Sequence, residues 1–88
     1  MKATKDELKN LIRQYITQYT KAVINDNNKN LFCADYHILL PDLLYVFCAL
    51  EKRLEVSVAK ILEQRNYTVF TVNNLTDAII EDFPEILQ

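Results

Sequence analysis

Cys33, Asp35 and His37 alternate along the chain, and Cys48 follows. Thiol, carboxylate and imidazole are the donors of a zinc site or, in another geometry, of a Cys-His nucleophile pair. Structural zinc usually takes four convergent ligands, and the chain holds only three soft or imidazole groups, Cys33, His37 and Cys48. Their spacing matches no standard zinc pattern. A nucleophile pair needs the two side chains within hydrogen-bond reach, and nothing in the sequence imposes that. The residues read as a packed cysteine and a surface histidine, with no metal ligands and no catalytic residues. The acidic residues are spread over several elements, as on solvated helix faces, rather than paired for general acid-base work. The tyrosines fit amphipathic core edges better than a base-stacking platform, which also needs a cationic groove.

Glycine is absent, so no phosphate-cradling Gly-rich loop exists. Turns that need positive φ are expected to use Asn or Asp. A net charge of -2 gives no electrostatic case for nucleic acid or an anionic membrane. The longest apolar run, Leu43 to Leu50, falls far short of the ~20 residues that span a bilayer. The start, Met1 to Glu7, has no apolar run behind it and does not read as a signal peptide. A cytoplasmic protein with two free thiols is the expectation. The length fits one domain, residues 1–88, with one modest core.

The elements that position these residues read as helices. Thr4 and Glu7 have the spacing of a capping box. Behind them Leu8, Leu11, Ile12, Tyr15, Ile16, Tyr19, Ala22 and Val23 recur at steps of three and four, which predicts a first helix from about Lys5 to about Ile24. The run Asn25 to Asn30 ends it, because these side chains compete for the backbone. The loop that follows is too apolar for a solvated linker, and Leu31, Phe32 and Ile38 are expected to pin it across the core. Pro41 suits the first turn of a second helix, and Asp42 favours its dipole. Leu43, Val46, Phe47, Leu50 and Leu54 form the inward stripe of that helix. Ser57 is placed to cap a short third helix, Val58 to about Arg65. Thr71 is placed to cap a fourth, with Val72, Leu75, Ala78 and Ile79 inward, ending near Asp82 before Pro84. The tail from Glu85 packs back or frays.

Two blocks in this frame carry a resemblance. Ala49-Leu50-Glu51-Lys52-Arg53-Leu54-Glu55-Val56 resembles the "A-L-E-x-x-F-x-V" stretch of acyl carrier proteins. Thr71-Val72-Asn73-Asn74-Leu75-Thr76-Asp77-Ala78-Ile79 resembles their "T-V-x-D-L-x-x-x-I". The separation of the blocks and the order of the helices are also similar to that phosphopantetheine-binding superfamily. The resemblance implies an all-α, four-helix bundle of the acyl carrier type with a long loop between the first two helices. The departure lies at the one functional position. The serine that carries the phosphopantetheine arm falls at Leu40, the preceding aspartate at Leu39, and the glycine before it is also missing. Between Asn30 and Leu54 there is no serine or threonine in any register. No phosphopantetheine is therefore expected. In size and in this aberrant start, the chain is similar to the carrier-related proteins of peptide-maturation and bacteriocin-like gene cassettes.

In that family the outward face of the second helix meets partner enzymes. The resemblance thus implies docking through Leu40, Asp42, Leu44, Tyr45, Cys48 and Glu51, more apolar than the family's usual acidic face. The partners it implies are biosynthetic or peptide-modifying enzymes, with no nucleic acid and no membrane. The alternative is that some of these residues are core or scattered surface apolars. A docking protein without enzymatic activity is the reading. Its rivals are a working carrier using Ser57 or a cysteine thiol, and an unrelated helical interaction module.

Overall fold

The computed structural model describes residues 3–87. Thr4 caps the first helix as its spacing predicts: its hydroxyl accepts from the Glu7 amide, and the Glu7 carboxylate accepts from the Thr4 amide, both at 3.1 Å. This helix, α1, spans Lys5–Thr20. It is followed by α2 (Leu40–Leu54), α3 (Val58–Glu63), a 3-10 turn (Tyr67–Val69), α4 (Val72–Asp82) and a second 3-10 turn (Pro84–Ile86). Ser57 and Thr71 cap α3 and α4, accepting from the amides of Lys60 and Asn74. Among the described residues the chain is an all-α bundle of four helices with a long loop between α1 and α2. Among the described residues the only extended pairing is an isolated bridge from Ala3 to Leu87.

The core is built from the periodic stripes. Leu8, Ile12 and Ile16 of α1 meet Leu43, Val46, Phe47, Leu50 and Leu54 of α2, and all are buried. Val58 and Ile61 of α3 and Val72, Leu75, Ala78 and Ile79 of α4 complete it. Each fully buried aliphatic side chain stabilises by roughly 1.5–3 kcal/mol relative to exposure, so helices of this length are held by packing more than by propensity. Arg65, just past α3, ties α3 to the end of α4. It donates to both carboxylate oxygens of Asp82 at 3.1 and 3.2 Å and to the Ile61 carbonyl. Glu81 lies 3.5 Å from the same guanidinium. The bond to Asp82, foremost, raises the Arg65 pKa above its already high ordinary value. The tail packs back: Ile86 is buried and its carbonyl accepts from the Ala3 amide.

Three expectations are corrected. The first helix stops at Thr20, not near Ile24. The Thr20 hydroxyl donates to the Ile16 carbonyl and accepts from the Ala22 amide, and the Thr17 hydroxyl donates to the Ala22 carbonyl. These bonds satisfy the backbone after the chain reverses at Lys21. The reversal buries Ala22 and Ile24 but leaves Tyr19 and Val23 exposed, outside the stripe assigned to them. The third helix ends at Glu63 rather than Arg65.

Positive φ is carried by Lys21, His37 and Glu55, not by Asn or Asp. At Lys21 and Glu55 the position is a helix C-cap whose amide donates back to Thr17 and Glu51. Closing the helix end there outweighs the roughly 1–2 kcal/mol that a Cβ costs in this region.

The long loop is pinned, though not by all three of its expected anchors. Leu31 and Ile38 are buried, and the Leu31 amide donates to the Phe70 carbonyl at 2.7 Å. Phe32 stays at the surface, with its ring edge-on to Phe70 at 5.0 Å. The asparagines hang the loop on the start of α4: Asn73 donates from its amide to the Asn27 carbonyl and from its side chain to Asn28 Oδ1.

Candidate docking face

The chain enters α2 through Leu39, whose backbone is extended (φ -93°, ψ 147°) and whose side chain cannot cap. Leu40 is the first helical residue and Pro41 the second, where a missing N–H leaves no bond unmade. Leu43, Val46, Phe47 and Leu50 bury the inner side of the helix. Helical spacing therefore turns Leu40, Leu44 and Cys48 outward in one row, with Tyr45 beside it. The exposures are large for such residues: Leu39 65%, Leu40 55%, Leu44 51% and Tyr45 63%. Cys48 is exposed as well, and neither cysteine is in a disulfide. The result is an apolar ridge on a helix whose opposite side is locked in the core.

Of the six residues assigned to docking, four share this ridge: Leu40, Leu44, Tyr45 and Cys48. Asp42 is half-buried and lies one turn before Tyr45, beyond it round the helix from Leu44. Glu51 is half-buried, and its Oε1 accepts from the Ala59 amide at 2.9 Å. That bond satisfies a free N–H in the first turn of α3, so Glu51 joins two helices. Leu39 and Phe32 are exposed as well, outside the six assigned residues. Phe32 sits edge-on to Phe70, which stacks on the buried Phe47 of α2 at 6.3 Å. The apolar residue just before the helix start was a usable signal for Leu39. Phe32 had none, because its partner Phe70 is far away in sequence.

The Cys33, Asp35, His37 alternation is not a strand. Residues 33–36 form a turn closed by the Tyr36 amide on the Cys33 carbonyl. The Lys29 ammonium bonds to the Asp35 carboxylate and lies 5.3 Å from the centre of the Tyr36 ring. This bond, foremost, holds the Asp35 carboxyl below the usual carboxylate range and raises the Lys29 pKa. Among the described residues no group of three or more His, Cys, Asp or Glu side chains is placed to hold a metal ion. Ser57 accepts from the Lys60 amide at 3.3 Å at the start of α3, beyond the far end of α2 from Leu40.

Concave surface lies elsewhere. A cleft of about 490 Å³ between residues 64–69 and α4 is lined largely by polar side chains, among them Gln64, Arg65, Asn66 and Asn74. Two others, of about 470 and 540 Å³, flank α1 and the tail. No α2 residue lines any of the three. Among the described residues no helix is long and apolar enough to cross a membrane. Comparison with known proteins finds no matching family model, no matching curated protein and no matching solved structure.

Proposed function

We propose that this chain is a docking protein without enzymatic activity, an acyl-carrier-like bundle that lacks the phosphopantetheine-attachment serine. The observation that carries the reading is the apolar ridge at the start of α2, where a carrier would present its serine and this chain presents Leu40. A rigid helix with exposed leucines and a tyrosine has the form of an anchor for a partner's apolar groove. The proposed occupant is such a groove on a peptide- or natural-product-maturation enzyme. Glu51 leaves the proposed contact set for its bond to α3.

Two measurements test this. Tyr45→Glu places a charge in the ridge and is expected to weaken enzyme capture by tenfold or more, as for an interface anchor worth about 1.4 kcal/mol or more. A folded variant that keeps every partner in a pull-down eliminates the docking reading. Incubation with coenzyme A and a broad phosphopantetheinyl transferase is expected to leave the intact mass unchanged. A gain of the arm's mass assigns the chain to the working carriers instead, with Ser57 the first residue to examine.

A further inference from the structure

We draw no further inference here: the strongest candidate, the exposed apolar patch of Leu40, Leu44 and Tyr45 at the start of α2, belongs to the site already described, and nothing in the structure shows what covers it.

Discussion

Thr4, Ser57 and Thr71 open α1, α3 and α4 with hydroxyls that accept from the helix backbone, whereas α2 opens on Leu39, which accepts nothing. The helix with the richest buried stripe is thus the one without a side-chain cap. Its inner side does not need the help, since Leu43, Val46 and Leu50 are fully buried. Its start breaks two local rules together, offering no capping group and exposing leucines to water. Departures from local rules concentrate where a surface serves something other than stability. The comparison separates three helix starts closed by side-chain hydroxyls from one start that leaves leucines in water.

The sharpest test sets the two sides of α2 against each other. Leu50→Ala, in the core, is expected to cost 2–5 kcal/mol, of order the Leu→Ala losses seen in packed cores. Leu44→Ala, about 120° round the same helix on the ridge, should change stability by less than about 0.5 kcal/mol. Urea denaturation measures both, and comparable losses would mean that the ridge is core after all. A smaller effect contrasts the helix starts. Thr71→Ala should lose about 1 kcal/mol, and Leu39→Asp should gain about as much, because position 39 already has the extended backbone of an N-cap. A loss at Leu39→Asp would show that this leucine packs rather than waits.

The smallest effect concerns the loop that leads into α2. Asp35 has a depressed pKa in the folded chain, so the pair with Lys29 contributes above the usual Asp value. That contribution is lost as pH falls through the lower folded value. Lys29 titrates the other way: its contribution is present below its usual pKa and lost as pH rises through the raised one. A carbon-detected titration should place the Asp35 midpoint below about 3.9, and Lys29→Ala should return it there. An unshifted midpoint in the unsubstituted chain would remove the ion pair from the description.

Legibility followed the range of the physical rule. The capping residues Thr4, Ser57 and Thr71 could be read because a cap acts over three residues. The inward stripe of α2 could be read because it repeats every 3.6 residues beside Pro41. The end of α1 could not, because the pattern runs on through Ala22 and Val23 while the chain reverses at Lys21. Only packing shows that turning buries Ala22 and Ile24. On the ridge, Leu40, Leu44, Tyr45 and Cys48 followed from periodicity, while the roles of Glu51 and Phe32 needed α3 and Phe70.

By itself the sequence determined that this is an all-helical chain, where three of its helix starts lie, which side of α2 is buried, and that no hydroxyl stands at the start of α2. These are matters of residue type and short-range spacing. Tertiary structure decided which exposed residues form one surface. It bound Glu51 to Ala59 and brought Phe32 to Phe70. Contacts between residues distant in the chain depend on how helices dock, and docking follows the whole core rather than any local pattern.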